Sequence, residues 1–242
     1  MRIAIVGYGK MGKEIEQIAL ERGHEVSIKI NSQNSQDIYK ITPENTDIAI
    51  EFSKPELAID SISTLLKQNV GVVVGTTGWY DKIDEVAEWI DELEGKLLYA
   101  SNFSLGVNLF FRLNELLAEM MEQHRDYKVS MEEIHHTEKL DSPSGTALTL
   151  AQSIQDIYPS IIEAINEPTD DVTKIGIVSK REPNVPGTHI VKYESEIDEI
   201  SIQHIAKSRK GFALGAVIAS EYLNERGTGL FDMQDVLEIK IN

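Results

Sequence analysis

Ile3-Ala4-Ile5-Val6-Gly7-Tyr8-Gly9-Lys10-Met11-Gly12 is the stretch that decides the fold of this chain. A short apolar run with the pattern of a buried strand passes directly into glycines spaced G-x-G-x-x-G, and a helical pattern follows through Ile15, Ile18, Ala19 and Leu20. Gly23-His24 stops the helix, and Glu25-Val26-Ser27-Ile28-Lys29-Ile30 alternates as a second strand, completing a β-α-β unit within about thirty residues. In that context the glycines predict a dinucleotide site. They let the backbone approach a pyrophosphate, while the helix start at Lys10, Met11 and Gly12 offers N–H donors and the positive end of its dipole. The competing interpretation is a nucleotide-shaped fold with no ligand.

Dinucleotide sites usually place Asp or Glu at the end of the second strand to accept from the ribose hydroxyls. Here Asn31 stands near that position, followed by Ser32. A neutral Asn31 removes the repulsion a carboxylate would offer a 2′-phosphate, yet no arginine follows to grip one, and only Lys29 and the amide offer donors. The pattern predicts use of both NADH and NADPH, with a lean to NADPH.

Further βα units extend outward from this start. Ile48 to Phe52 leads into Ser53-Lys54-Pro55 and a helix, Val70 to Val74 into Gly75-Thr76-Thr77-Gly78 and another helix, and Leu97 to Ala100 into Ser101-Asn102. Alternation of this kind predicts an α/β fold whose N-terminal, Rossmann-type domain is built on a parallel sheet with ligand loops at its carboxyl edge. After Asn102 the pattern changes. A helix from about Val107 to Gln123, a strand from Lys128 to Ile134 and a helix from about Thr146 to Ile157 precede strands at 175–178, 189–193 and 199–205, with Pro183, Pro186 and Gly187 marking a loop. These predict a smaller α+β domain with an open mixed sheet over 106–209. A helix from Ala213 to Leu223 and a terminal strand from Val236 to Ile241 would return to the first domain, which then comprises 1–105 and 210–242.

Composition bounds the partners. The balance of 23 basic against 40 acidic residues, 23 − 40 = −17, argues against a nucleic-acid backbone, and any anionic ligand needs local positive help from lysines or helix starts. The chain has no cysteine, which excludes disulfides, thiolate metal sites and a cysteine nucleophile. No stretch is long enough to span a membrane, and the N-terminal apolar run is too short for a signal peptide, so a cytoplasmic protein is expected.

Glu133-Ile134-His135-His136-Thr137-Glu138-Lys139-Leu140-Asp141-Ser142-Pro143-Ser144-Gly145-Thr146-Ala147 concentrates the chemistry. Histidines exchange protons near neutral pH, and a lysine supplies a compact cation. Ser142 can cap the helix that follows with Pro143 in its first position, and Gly145 lets a carboxylate reach main-chain N–H groups without a Cβ in the way. Packing histidines and a simple cap are the bland alternatives. Glu132, Glu133 and Glu138 form no recognisable zinc spacing with the histidines, so no metal is expected.

With Gly75-Thr76-Thr77-Gly78, Tyr99-Ala100-Ser101-Asn102-Phe103-Ser104-x-Gly106-Val107-Asn108, Gly187-x-His189, the Ile202 to Arg209 run and Gly211-Phe212-Ala213, this motif makes nearly the whole chain resemble the 4-hydroxy-tetrahydrodipicolinate reductase (dihydrodipicolinate reductase) family of the diaminopimelate route to lysine. The resemblance implies nicotinamide-dependent reduction of a small cyclic imine dicarboxylate with loss of water, by a two-domain subunit that closes on its ligands and assembles as a homotetramer. It makes 106–209 the substrate-binding and oligomerisation domain. It implies His135 as general acid/base and Lys139 as proton donor, with His136, Ser144, Gly145 and Thr146 on the substrate carboxylates. The cofactor would lie along Gly7, Tyr8, Gly9, Lys10, Met11 and Gly12, then Asn31, Gly75, Thr76, Thr77, Tyr99, Ala100, Ser101 and Asn102, with Phe52 packed nearby. The family often has an acidic residue where Asn31 stands and alanine where Ser142 stands. Other readings of the same architecture are an amino-acid or sugar dehydrogenase and a non-catalytic nucleotide sensor.

Overall fold

The computed structural model describes residues 1–208 and 210–238. The chain divides into two compact units, Met1–Leu105 with Lys210–Asn242, and Gly106–Arg209.

The first unit is α/β. Its elements are β1 (Arg2–Val6), α1 (Lys10–Glu21), β2 (Glu25–Ile30), β3 (Ile48–Glu51), α2 (Pro55–Lys67), β4 (Gly71–Val74), α3 (Ile83–Glu92) and β5 (Lys96–Tyr99). The sheet runs β11-β5-β4-β3-β1-β2, all parallel, with β11 (Gly229–Phe231) supplied by the returning segment. Strand alternation sorts the apolar residues between two cores. Ile3, Ile5, Ile48, Ile50, Val73 and Leu98 pack with α1 and with α6 (Lys210–Asn224), whereas Ala4, Val6, Ala49, Val72, Val74 and Leu97 pack with α2 and α3. Both faces are therefore covered, which is why these strands read as unbroken apolar runs. Each fully buried Ile or Val contributes roughly 1.5–3 kcal/mol, so no position in β3 or β4 tolerates a charge unless it is hydrogen-bonded.

Two close approaches need glycine. Gly7 has φ +97° and a Cβ there would lie 2.1 Å from the main-chain oxygen of Phe52. A Cβ on Gly75 would lie 2.1 Å from the Phe52 ring, so Phe52 packs directly on the turn after β4.

The second unit contains α4 (Leu105–Met121, beginning at the boundary), β6 (Lys128–His135), α5 (Gly145–Ile157), β7 (Glu163–Ile165), β8 (Lys174–Arg181), β9 (Gly187–Glu194) and β10 (Glu199–Ala206). Its open sheet is mixed in the order β10-β9-β6-β8-β7, antiparallel across β10, β9 and β6 and parallel across β6, β8 and β7. Its core joins Met131, Ile175, Ile177, Val191 and Tyr193 from the sheet to Ala147, Leu150, Ala151 and Ile154 of α5 and Phe110, Ala118 and Met121 of α4.

The C-terminal expectation is corrected in part. Val236 closes α7 (Met233–Val236) instead of opening a strand, because Asp232 accepts from the N–H groups of Gln234 and Asp235 in a capping box that fixes a helix start. The remainder of that expected strand beyond 238 lies outside the described residues. The strand that does return is β11, whose Gly229 to Phe231 pairs with Lys96 to Leu98.

Candidate active site

In the second unit, β6 sends Glu133 and His135 to the same face, two residues apart. Antiparallel register sets His189 of β9 opposite Glu133, and parallel register sets Ser179 and Arg181 of β8 opposite Glu133 and His135. The result is a buried polar centre on three adjacent strands. Glu133 is fully buried, and its carboxylate accepts from the Ser144 N–H at 3.1 and 3.2 Å and from the Ser179 hydroxyl at 2.8 Å. Around it lie His135 Nδ1 at 3.5 Å, His189 Nε2 at 3.7 Å and Arg181 Nη1 at 3.7 Å. The two imidazoles meet edge to face with centroids 5.0 Å apart.

Burial alone would raise the Glu133 carboxyl, but hydrogen bonds from Ser144 and Ser179 and the facing His135 hold it below the usual carboxylate range. Burial pushes both histidines down against the opposing pull of Glu133: His135 falls, with Lys139 and Arg181 adding to the effect, and His189 falls to about 4. At neutral pH the centre therefore holds an ionised carboxylate and two uncharged imidazoles.

α5 begins on this centre. Ser144 is its N-cap, with Oγ accepting from the Ala147 N–H at 3.2 Å and lying 3.2 Å from His189 Nε2. The cap expected at Ser142 thus moves to Ser144, and Pro143 precedes the helix. The cause lies far along the chain: Glu133 engages the Ser144 N–H, and the Ser142 hydroxyl instead accepts from Asn166 at 2.9 Å. The helix has no carbonyl of its own for the N–H groups of Gly145 and Thr146. A Cβ built on exposed Gly145 would meet no atom of the chain within 4 Å, so the approach to these donors is open.

Lys139 stands in the loop between β6 and α5. Its Nζ binds both carboxylate oxygens of Asp141 at 2.8 Å, while Arg181 donates to the main-chain oxygens of Lys139 at 3.3 Å and Asp141 at 2.6 Å. Arg181 thereby fixes the path of the lysine loop. His136, half-buried, follows the end of β6 and lies outside the cluster around Glu133.

The structure thus brings together His135 and the Ser144-Gly145-Thr146 turn through Glu133, with Lys139 held alongside by Arg181. His189, Arg181 and Ser179 are participants that the sequence reading left without a role. Gly187-x-His189 before an alternating strand was the available signal, but only the register of β9 against β6 gives it meaning. Glu133, His135 and His189 bring donor atoms within 4.8 Å of one another. The spacing would admit a cation, and the same carboxylate also accepts from Ser144 and Ser179.

In the first unit a cleft of about 450 Å³ opens at the glycine turn, lined by Gly7, Tyr8, Gly9, Asn31, Tyr39, Phe52 and Lys54 among others. Gly9 faces open space, since a Cβ there would meet no atom within 4 Å. Gly12 instead packs inward, 2.7 Å from the Gly7 carbonyl oxygen by its Cβ direction, and locks the helix start to the turn. Asn31 accepts from the Gln33 N–H at 2.8 Å, and Lys29 is bound to Glu16 at 2.9 Å. Gly75, Thr76 and Thr77 follow β4, and Tyr99 ends β5, at the same carboxyl edge of the sheet. The Tyr99 ring packs against Trp79 and Tyr80. Ala100 is buried, Ser101 exposed, and Asn102 accepts from the Ser104 N–H at 2.9 Å.

A parallel sheet opened by a glycine turn, joined to a mixed-sheet unit carrying a buried carboxylate and two imidazoles, is the architecture of a two-domain nucleotide-binding protein. The solved dihydrodipicolinate reductase from Paenisporosarcina sp. TG-14, bound to dipicolinate, shares that fold with TM-score 0.78 at 22% identity, covering 96% of this chain and 97% of that one. Family profiles described as dihydrodipicolinate reductase, N-terminus and C-terminus, match residues 1–103 and 106–237. The 4-hydroxy-tetrahydrodipicolinate reductase of Christiangramia forsetii is 49% identical over 98% of both chains, and that of Neisseria meningitidis serogroup B is 32% identical over 92% of this chain and 83% of the relative. The chain belongs to the dihydrodipicolinate reductase family. A pyridine nucleotide is the cofactor that the N-terminal part of this family implies, and the open glycine turn beside the 450 Å³ cleft fits one. No helix among the described residues is long and apolar enough to cross a membrane.

Proposed function

We infer that the protein reduces 4-hydroxy-tetrahydrodipicolinate to tetrahydrodipicolinate with loss of water, in lysine biosynthesis through diaminopimelate. The observation that carries this reading is the start of α5, open at Gly145 and anchored by Glu133 to the centre that holds His135. Family membership supplies the reaction class.

In this reading the first unit binds the nicotinamide, and the second binds the substrate and carries the oligomer contacts. NAD(P)H supplies a hydride to the conjugated imine, while a proton from the protein completes the reduction and water leaves. The main-chain N–H groups of Gly145 and Thr146, with the Ser144 hydroxyl beside them, receive one carboxylate at the favourable end of the helix, and His136 assists from the loop. His135 is the general acid/base. Its pKa is depressed by burial in the free protein, and a bound dianion would raise it toward the protonated form it needs. Lys139 is the proton donor, and its ammonium stabilises electron density that builds on the ring nitrogen and the adjacent carbon.

Both cofactors are used, with NADPH favoured. No carboxylate stands at the end of β2, where Asn31 and Ser32 line the cleft, and Lys54 is a cation lining the same cleft. Lys29, bound to Glu16, is less available than its position in the sequence suggests. The same reading makes the protein a cytoplasmic homotetramer; for the assembly alone, edge strand β10 exposes Ile200 and Ile205, one on each face. The test is to generate substrate with the preceding synthase and follow nicotinamide absorbance with each cofactor. Consumption is expected with both, and none with either would sink the assignment.

A further inference from the structure

We propose that Glu133 is a positioning residue that serves both halves of the substrate site at once: it anchors the anion-binding start of α5 and it supports a proton on His135. This inference rests on the functional reading above and deepens it, adding to the anchoring of α5 by Glu133 a second duty toward His135.

Three observations carry it. Glu133 is fully buried, both of its oxygens accept from the Ser144 main-chain N–H and Oε1 also accepts from the Ser179 hydroxyl, so it holds the first residue of the anion-binding turn in place. The same carboxylate lies 3.5 Å from Nδ1 of His135. It also lies 3.7 Å from His189, whose Nε2 is 3.2 Å from the Ser144 hydroxyl, so the cap and the two imidazoles share one anion. A buried carboxylate kept ionised costs several kcal/mol unless hydrogen bonds and charges compensate it, and here they do so through the very groups the reaction needs.

The charged and titratable groups facing His135 are Glu133 on its own strand, Arg181 on β8, His189 on β9, and Lys139 and Asp141 from the following loop. Glu133 and Asp141 favour its protonated form, and Lys139 and Arg181 oppose it. Glu133 is the buried member of the first pair, so its field is the less screened. Beyond the Nε2 edge of His135 lies Gly187, where a Cβ would stand 3.2 Å from the ring nitrogen. The ring is therefore confined between Glu133 and the start of β9.

Two variants of the full chain separate the two duties. Glu133→Gln keeps an oxygen for the Ser144 N–H but removes the charge. Its His135 resonance, followed by nitrogen NMR without substrate or cofactor, should titrate at lower pH than in the wild type. The alkaline limb of kcat/KM should move the same way, with turnover at neutral pH falling about tenfold or more. Its affinity for dipicolinate should change by less than about threefold, because the hydrogen bond remains. Glu133→Ala removes both, and dipicolinate binding by calorimetry should weaken about tenfold or more. An unchanged His135 titration in Glu133→Gln, or wild-type dipicolinate affinity in Glu133→Ala, would overturn the proposal. If neither variant folds, the wild-type spectrum decides: neutral His135 should carry its proton on Nδ1, facing Glu133, and an Nε2–H tautomer would refute the arrangement. A wild-type protein with no reductase activity would strike the functional reading alone, since the His135 titration needs no substrate.

Discussion

Protonating His189 should destabilise the fold, and the cost can be worked from its burial. His189 is 4% exposed, and its imidazole is pushed from 6.5 to about 4, first by burial and then by the neighbouring His135. Because the folded state resists the proton and the unfolded state accepts it, this contribution to stability is complete above the unfolded value and is lost as pH falls from 6.5 toward 4. The full interval is 6.5 − 4 = 2.5 units, worth about 3 kcal/mol at roughly 1.36 kcal/mol per unit. Between pH 7.5 and pH 5 the part lost is about 2 kcal/mol. Urea denaturation of the wild type and of His189→Asn at those two pH values measures it. The wild type should lose about 2 kcal/mol more than the variant over that interval, although the variant starts out less stable. Parallel losses in the two proteins would refute the reasoning, because the acid sensitivity would then belong to other groups.

Replacing Lys139 by Met or His135 by Gln should lower kcat by two to four orders of magnitude while NADPH binding, followed by nicotinamide fluorescence, stays at the wild-type value. Gly7→Ala should destabilise the protein by about 3 kcal/mol or more, since the left-handed φ of +97° costs roughly 1–2 kcal/mol and the new Cβ would stand 2.1 Å from the Phe52 carbonyl oxygen; a loss below about 1 kcal/mol on denaturation would contradict that geometry. Arg181→Met releases the carbonyls of Lys139 and Asp141 and should lower kcat/KM about tenfold, with the loss in kcat and not in the cofactor KM.

Legibility followed the range of the forces involved. β1, β3 and β4 are covered on both faces, so their apolar runs are visible without knowing what covers them, and the glycine turn is visible because Gly7 must take a left-handed conformation. β11 is hidden because three residues beginning with glycine have no pattern of their own and exist as a strand only through pairing with β5. The cap of α5 lies two residues beyond Ser142 for a similar reason, although the helix itself starts at Gly145, one residue from the expected Thr146. Ser142 and Ser144 are equal as caps locally, and the choice between them is made by Glu133 and Asn166, which fold back from other strands. His189 and Arg181 became functional candidates only through register, since nothing nearby in sequence marks either as belonging with His135.

The centre also shows how an acidic chain can receive a dianion. With a net charge of −17, the long-range field repels such a substrate, so attraction must be local. Arg181 is partly matched by buried Glu133, at 3.7 Å, and Lys139 is matched by Asp141 at 2.8 Å. These two pairs are not equivalent. Asp141 is 56% exposed on its side chain, so its hold on the ammonium is worth at most about 1 kcal/mol and a bound carboxylate can displace it cheaply. Glu133 has no exposure and cannot leave without stranding Ser144, Ser179 and both imidazoles. The exchangeable anion is therefore the one beside the lysine, and the fixed anion is the one beside the histidine. In the proposed reading a substrate carboxylate arriving at Gly145 and Thr146 would meet main-chain dipoles already held in place, and its charge would add to that of Glu133 in favouring protonated His135. In that reading, substrate binding would thus raise the proton affinity of His135, the general acid/base, which stays neutral otherwise.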